Sequence, residues 1–395
     1  MDQLPIKRYY VDGHVHIGRS SNGSPIKMAA SSKLTLDSVI KAARYQKGLD
    51  LIGLIDAAAV PILDDIQQMI LESRLIEVAG GGFLATAENI LLMPGAEVEI
   101  QGPEGCAAHF GAFVGSLAAL EELSQWLTFR QKNSTLSSQR TRASANDLGE
   151  FVRELDGILI INHAFTPHKG LYGNCVHHMS EMIADEYVTA VELGLSADTN
   201  MADRLSELSR FSFVTNSDAH SVTKMGREYH VVELPEMNFT AYRKALQHPE
   251  RRQMVFNVGL WPEMGKYHLS FCPKCGQHWD QAISYCPYCK ETRIIQGVWN
   301  RLQFIADRDA SVSPDFRPPY LHQIPLEWIP GLGSKKMDLL FREFGSEMNI
   351  LNKVDTEDLI KVVGEPLARE IDKARRGQLE FIPGAGGFYG QLRNS

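Results

Sequence analysis

The sequence predicts an α/β protein: a β/α barrel over residues 1–262, followed by a small zinc ribbon and an all-α C-terminal region. Three observations carry that prediction. Apolar, β-rich runs that end in polar residues alternate with helix-like stretches through the first 262 residues. Two C-x-x-C pairs fall within eighteen residues, Cys272 to Cys289. Beyond residue 326, short helical patterns are separated by glycines.

Length and composition set the bounds. At 395 residues the chain has room for two to three domains, at roughly 100–200 residues each. With 44% hydrophobic and 22% charged residues it matches soluble globular proteins, which excludes a disordered or fibrous chain. No apolar run nears the ~20 residues that span a bilayer, so no membrane partner is expected. The first twenty residues carry Asp2, Lys7, Arg8 and Asp12 and lack the apolar core of a signal peptide, so a cytoplasmic location is expected. Six cysteines are too few for a disulfide scaffold, and the clustering of four points to metal and a reducing compartment. A net charge of −8 argues against nucleic-acid binding through bulk positive charge.

In the first region the strands are expected at Tyr9–His16, Leu51–Asp56, Leu91–Glu97, Ala108–Val114, Ile158–His163, Ala190–Leu193, Phe211–Asp218 and Tyr229–Leu234. Helices are expected between several of them, at Thr35–Gly48 and Ala202–Arg210 for example. Such alternation implies a parallel sheet or a closed barrel. The polar, basic stretch Thr128–Asn146 reads as an inserted loop.

The histidines and carboxylates decide the chemistry. His14 and His16 stand two apart on a strand, so both rings point to one face. Asp56, Glu97, His109, His163, Glu192, Asp218 and His220 lie at or near the ends of other strands. In a barrel those ends converge on one cup. Imidazoles and carboxylates gathered there suit Zn²⁺ or Mn²⁺, with Glu97 able to bridge two ions. After His163, the loop through Gly173 offers His168 and Lys169 to a substrate phosphate. His177, His178, His230 and His248 lie away from strand ends and read as ordinary side chains.

The order of these residues resembles the polymerase-and-histidinol-phosphatase (PHP) family of metal-dependent phosphoesterases. Its pattern is an H-x-H strand, a bridging glutamate, two separate histidines and a final S-D-x-H. The resemblance implies a distorted, PHP-type barrel and phosphoester hydrolysis with two or three divalent ions (Zn²⁺, Mg²⁺ or Mn²⁺). It assigns His14, His16, Glu97 and Asp218 to one ion, Glu97, His109 and His163 to a second, and His220 to a third site. Asp218, His220 and Glu192 form the expected catalytic group, with His220 or Glu192 as proton carrier. The chain departs from the family in two places. Ile55-Asp56-Ala57 stands where the family has T-D-H, and Ile17–Gly23 lacks the histidine that follows the first pair. A third ion therefore needs substitutes such as Asp56 or Glu192.

Residues 263–308 hold the second module. Cys272, Cys275, Cys286 and Cys289 have the spacing of two knuckles that close a Cys₄ site around a structural Zn²⁺, and Gly276 suits the turn that closes the first knuckle. A module this small needs that ion for stability. The proline-rich stretch 309–325 reads as a linker.

Residues 326–395 resemble a tandem helix-hairpin-helix region, a module that binds DNA without reading its sequence. Gly331 and Gly333 let backbone N–H groups approach a phosphate, and Lys335 and Lys336 supply charge. The second hairpin, at Val363-Gly364-Glu365-Pro366, lacks the second glycine and presents an acid instead. Gln378-Leu379-Glu380-Phe381 is faintly like a sliding-clamp-binding peptide.

The three-part order resembles that of a family of damage-specific DNA-repair endonucleases. This resemblance implies double- or single-stranded DNA with damaged bases as partner, and a nucleoid-associated location when DNA is bound. It also implies cleavage 5′ of a deaminated base or abasic site, with the damaged nucleotide flipped out of the stack. The loops Thr128–Asn146 and Phe165–Gly173 are the pocket candidates. Two other readings remain open at this point: a small-molecule phosphatase of the histidinol-phosphate kind, and a DNA-binding scaffold with a decayed metal site.

Overall fold

The first region starts with β1 (Lys7–Val15), α1 (Leu36–Ala42), β2 (Leu51–Leu54), α2 (Val60–Leu71) and the hairpin β3 (Leu75–Glu77)–β4 (Phe83–Ala85). It continues with β5 (Ile90–Gln101), β6 (Ala107–Phe113), α3 (Leu117–Thr128), β7 (Arg140–Thr141), α4 (Ala145–Glu154), β8 (Ile158–Ile161) and β9 (Ala190–Glu192). Then come α5 (Thr199–Ala202), β10 (Ser212–Val214), β11 (Tyr229–Leu234), α6 (Phe239–Gln247) and β12 (Met254–Gly259). This computed structural model describes residues 5–281 and 283–393; the outermost residues of the first and last expected segments, 1–4 and 394–395, lie outside it.

Strand pairing runs β10-β9-β8-β6-β5-β2-β1-β11-β12. The sheet is mixed. The pairs β1–β2, β2–β5, β8–β9 and β9–β10 are parallel, while β5–β6, β6–β8, β1–β11 and β11–β12 are antiparallel. Direction reverses where a short turn at 102–106 replaces a crossover helix, because a few residues can join only antiparallel neighbours. The sheet curls without closing. Across the gap between β10 and β12, Asn257 Nδ2 donates to the Phe213 carbonyl at 3.1 Å and the Val258 N–H donates to Thr215 Oγ1 at 3.2 Å. Alternate strand residues serve two apolar layers: Val11, Leu51, Leu91 and Ile160 on one face, Ile52, Leu54, Leu92 and Ile161 on the other. Burial on both faces explains why these strands read as continuous apolar runs.

Two helices differ from expectation. Thr35–Gly48 is α1 plus a π turn at 43–47, ended by Gly48 at φ 76°. Ala202–Arg210 is no single helix. Asp198 caps α5 early by accepting from the Met201 N–H, and extended backbone at Leu205 separates α5 from a 3₁₀ turn at 206–210.

The second region contains β13 (Ser270–Phe271), β14 (His278–Trp279), α7 (Val298–Ile305) and β15 (Tyr320–His322). Only its first part is ribbon-like. Val298, Leu302 and Ile305 of α7 pack into the barrel's own core. The stretch 309–325, expected as a linker, instead supplies β15, which pairs in parallel with β12 as the last strand of the sheet. Arg317 from the same stretch is buried against Asp203, with Nη2 to Oδ1 at 2.8 Å. Sequence composition signals proline here but not this pairing. Cys106 and Cys175, which the sequence analysis left without a role, form a disulfide that tethers the start of β6 to the loop after His163. The expectation of a reducing compartment, drawn from the four clustered cysteines, does not account for this bond.

The last region is α8 (Ser334–Phe344), α9 (Glu347–Asn352), α10 (Thr356–Val363) and α11 (Glu365–Arg375). Leu332, Leu340, Ile350, Leu359, Leu367 and Ile371 form its core, which takes in Leu260 and Met264 from the end of the barrel. Leu379 and Phe381, within the clamp-like peptide, pack against this core, and Phe381–Ile382 pairs with Gln391–Leu392. No helix among the described residues is long and apolar enough to cross a membrane.

Candidate metal centre

The cup is built from β1 outward. A register shift between Asp12 and Val15 lets Gly13 pass close to its neighbours, where a Cβ would meet the Asn216 side chain at 2.9 Å. That close approach lets Gly13 N–H donate to Asn216 Oδ1 at 2.6 Å, while Asn216 Nδ2 donates to Glu192 Oε2 at 2.9 Å. Asp12 is fully buried beneath the site and accepts from the Ser217 and Gly226 N–H groups at 3.0 and 2.8 Å. It thus ties β1 to the loop that carries Asp218.

His14 and His16 each turn Nδ1 toward a buried carboxylate. His14 Nδ1 lies 3.0 Å from Glu192 Oε2, and His16 Nδ1 lies 3.0 and 3.1 Å from the two oxygens of Asp56. With Nδ1 turned to a carboxylate in both, the neutral form of each ring would offer its Nε2 lone pair to a metal; burial lowers both imidazoles, but the carboxylates around them outweigh it and raise both above the ordinary range. The two Nε2 atoms face each other at 3.3 Å. Asp218 Oδ1 stands 3.5 and 3.3 Å from them, and Glu97 Oε1 stands 3.5 Å from His14 Nε2. Two imidazole nitrogens facing each other beside two carboxylates suit a shared cation. The carboxylates behind the imidazoles are the usual outer partners of metal-binding histidines.

A second convergence shares Glu97. His109 Nδ1 is 2.8 Å and His163 Nε2 3.4 Å from Glu97 Oε1. His109 Nδ1 is buried and makes no aligned hydrogen bond, so its lone pair is free for an ion. A third grouping, His16, Asp218 and His220, reuses two ligands of the first. These donor sets fit divalent ions, with Glu97 placed to bridge the first two.

Electrostatics match this assembly. Burial alone raises the Glu97 carboxyl, but His109 and Lys27 outweigh it and hold the group well below its ordinary range. Burial likewise opposes ionisation of Asp218, and His16 and His14 override it and hold the group well below its ordinary range. His220 is pushed down to about 4, chiefly by burial, so its ring is neutral at pH 7. Its Nδ1 donates to the Asp218 carbonyl at 3.0 Å, which leaves Nε2 as the acceptor. Two residues here adopt left-handed backbone: His163 at φ 30° and Asp218 at φ 46°. Such conformations cost about 1 kcal/mol or more and persist where surrounding bonds enforce them. The His163 N–H, donating to Glu192 Oε1 at 3.1 Å, is one such bond.

Several expected roles change. Glu192 is engaged on both oxygens by His14, Asn216 and His163, so it orients His14 and is not a proton carrier facing the cup. Asp56 is held by His16 Nδ1 and by the Ile17 N–H at 2.6 Å, so its oxygens, like those of Glu192, already accept hydrogen bonds in the layer behind the cup. Lys169 Nζ is 3.0 Å from Glu99 Oε2, and exposed His168 packs edge-on against Tyr267, with ring centroids 4.9 Å apart. Sequence reasoning missed Lys27, whose Nζ donates to Glu97 Oε2 at 2.8 Å and Ser138 Oγ at 2.5 Å. It also missed Ser138, whose Oγ donates to Glu97 from the inserted loop. Both lie in irregular segments without periodicity; the loop's polar, basic composition was the one available signal.

Away from the cup, Cys272 Sγ–Cys289 Sγ and Cys275 Sγ–Cys286 Sγ are each 3.5 Å apart, near the ~3.8 Å edge of a Zn–S₄ tetrahedron. The two knuckles are equivalent: Gly276 N–H donates to the Cys272 carbonyl and Lys290 N–H to the Cys286 carbonyl, with φ of 73° and 61° at those residues. In the C-terminal region Gly331 has φ 78°, and Gly333, Ser334, Lys335 and Lys336 are exposed at the start of α8. A cradle of this kind presents backbone N–H groups and positive charge together.

No family model matches the chain. The uncharacterized protein YqxK of Bacillus subtilis (strain 168) is 39% identical over 391 residues, spanning 98% of this chain and 100% of that protein. The crystal structure of the novel lesion-specific endonuclease PfuEndoQ from Pyrococcus furiosus superposes with a TM-score of 0.83 and 29% identity, over 98% of this chain and 95% of that one. Endonuclease Q in complex with a 27-mer duplex substrate, with an abasic lesion at the active site, superposes with a TM-score of 0.83 and 28% identity, over 98% and 97%. The similarity thus runs over 98% of the chain, which belongs to the endonuclease Q family.

Proposed function

We propose that this chain is a metal-dependent DNA-repair endonuclease that hydrolyses the phosphodiester 5′ of a deaminated base (hypoxanthine, uracil, xanthine) or an abasic site. The observation that carries this reading is its similarity, over 98% of its length, to an endonuclease Q whose abasic-lesion duplex lies at the active site. The cup supports it. His14, His16, Glu97 and Asp218 would hold one ion, and Glu97, His109 and His163 another. Zn²⁺, Mg²⁺ or Mn²⁺ there would lower the pKa of water and neutralise the attacking and leaving oxygens. His220, whose Nδ1 donates to the Asp218 carbonyl, would present Nε2 toward the cup as a ligand or proton carrier.

The ribbon and hairpins favour DNA over a small ester. Gly331, Gly333, Lys335 and Lys336 would hold a phosphate well away from the cut, and the Cys₄ site would hold a structural Zn²⁺. Reaching a lesion hidden inside a duplex requires the nucleotide to be flipped out. The loops 128–146 and 165–173 are the proposed pocket walls: Ser138 of the first donates to Glu97, and Thr166 of the second lies 3.2 Å from His163 Nδ1. The four segments that composition marks out, 1–262, 263–308, 309–325 and 326–395, are proposed as functional units with α7 and β15 reassigned to the barrel.

The test is a nicking assay with Mg²⁺ or Mn²⁺ on end-labelled duplexes, one undamaged and others with a single deoxyinosine, deoxyuridine or abasic site. A single cut immediately 5′ of the lesion, lost in Asp218→Ala, is the expected result. Equal cutting of all duplexes removes the damage specificity. Cutting of none, with hydrolysis of a simple phosphomonoester, overturns the reading in favour of a phosphatase.

A further inference from the structure

We propose that the Lys27 ammonium is the third positive charge of the cup, standing in for a third metal ion and binding a non-bridging oxygen of the scissile phosphate. The inference rests on the phosphodiesterase reading above. Lys27 lies on the segment that follows His16, the same segment that lacks the family's next histidine, and its N–H donates to the Ile17 carbonyl at 3.1 Å. Its Nζ reaches Glu97 Oε2 at 2.8 Å and Ser138 Oγ at 2.5 Å, with the side chain 14% exposed. The charge therefore sits inside the ligand cluster with an open side.

The donors left for a third ion are few. Asp56 is occupied by His16 and Ile17, and Glu192 by His14, Asn216 and His163. Of the third grouping, His16, Asp218 and His220, only His220 belongs to no other grouping among the described residues. A divalent ion placed there would also meet the ammonium as a like charge in a poorly solvated cup. Conversely, ions held by Glu97 would neutralise the carboxylate nearest the ammonium, leaving Ser138 as its other direct partner and Asp56 and Asp218 as more distant charges. The phosphate is then its anionic partner, and the added charge stabilisation falls on the reacting group.

Three measurements test this on the full chain: bound metal per chain, Kd for a lesion duplex in Ca²⁺, and the single-turnover incision rate. Lys27→Met is expected to keep two ions per cup beside the ribbon zinc, to keep Kd within about threefold, and to slow incision about 10²–10³-fold. Lys27→Arg, which retains the charge, is expected to recover about tenfold of that loss. A rate for Lys27→Met within about threefold of the unmodified chain overturns the proposal. So does a third ion in the unmodified cup, or loss of an ion in Lys27→Met, which would make the lysine a mere support for Glu97. Thermal midpoints of both variants separate misfolding from either result. If the unmodified chain cuts no duplex but hydrolyses bis(p-nitrophenyl) phosphate, the repair reading fails on its own, and the same variants on that ester still decide the role of the lysine.

Discussion

Lys47 and Glu347 form a buried ion pair, Nζ to Oε2 at 2.6 Å, that joins the barrel to the hairpin region across 300 residues of sequence. Neither end is spare: Lys47 Nζ also donates to the Thr223 carbonyl, and Glu347 Oε1 accepts from the Leu326 N–H. Removing one partner leaves a desolvated charge. Lys47→Met is expected to cost about 3–5 kcal/mol, and the double variant Lys47→Met/Glu347→Leu less than that, because no lone charge remains. Thermal unfolding of the three proteins checks the order; equal losses in the single and double variants refute it.

The carboxylates behind the imidazoles predict a separable effect on metal affinity. Glu192→Gln and Asp56→Asn are each expected to weaken binding at the His14–His16 site about 10–100-fold while leaving the His109–His163 site intact. Competition with a metallochromic chelator, read together with circular dichroism, checks this. Loss of both ions in either variant would contradict independent support of the two sites.

Glu228 predicts a pH dependence of stability. Burial pushes its carboxyl up to about 8, opposed in part by the Leu260 N–H, and its Oε2 has no hydrogen-bond partner. A carboxyl raised on folding binds more protons in the folded state between its ordinary value, 4.5, and about 8. Stability must therefore fall as pH rises through that window. Glu228→Gln is expected to remove the fall and to stabilise by about 2 kcal/mol or more above pH 8, with little gain at pH 5. Thermal midpoints of both proteins from pH 5 to 9 show it; parallel curves would count against it.

For the hairpins, Lys335→Ala and Lys336→Ala are each expected to weaken DNA binding uniformly across sequences and lesions. The slope of log K against log salt should shrink by about 1 for each phosphate that the protein no longer neutralises. Fluorescence anisotropy between 50 and 200 mM salt (about the range where such slopes are steep) measures it. An unchanged slope would mean that other residues neutralise the phosphates.

Removal of the zinc proposed for the four cysteines should act locally. Chelation or Cys286→Ser is expected to unfold the knuckles while the barrel melts near its usual temperature, since the cysteines lie outside the barrel's core cluster. Hydrogen exchange confined to about residues 270–297 checks it, whereas barrel-wide exchange would show the ribbon to be a structural keystone.

Part of the ring of cup residues was legible because it sits where an apolar strand gives way to polar chain, as at His16 after β1, His163 after β8 and Asp218 after β10. His14 and His16 share a face by period-two geometry, whereas Glu97 lies inside β5, which runs on to Gln101, and His109 near the start of β6. The layer behind them was not. Asp12 meets Ser217 across 205 positions and Asn216 meets Glu192 across 24, pairings that no local pattern encodes. That is why Glu192 could be read as a proton carrier although it is a scaffold for His14. Lys27 escaped notice because it stands in a loop, where neither helix nor strand periodicity marks which way a side chain faces. Strand β15 escaped for a related reason: three residues after a double proline carry too little pattern to announce a pairing.

Strand β15 also bears on how the parts of this chain could have been assembled. A barrel ending at residue 262 would present β12 as a bare rim of unpaired N–H and C=O groups, open to any extended peptide nearby. The hairpin region is consequently no detachable appendage, because the chain that leads to it seals the barrel on the way. Shuffling that moved one module without the other would trade a sealed enzyme for an adhesive one, a barrier to recombination set by three residues of backbone.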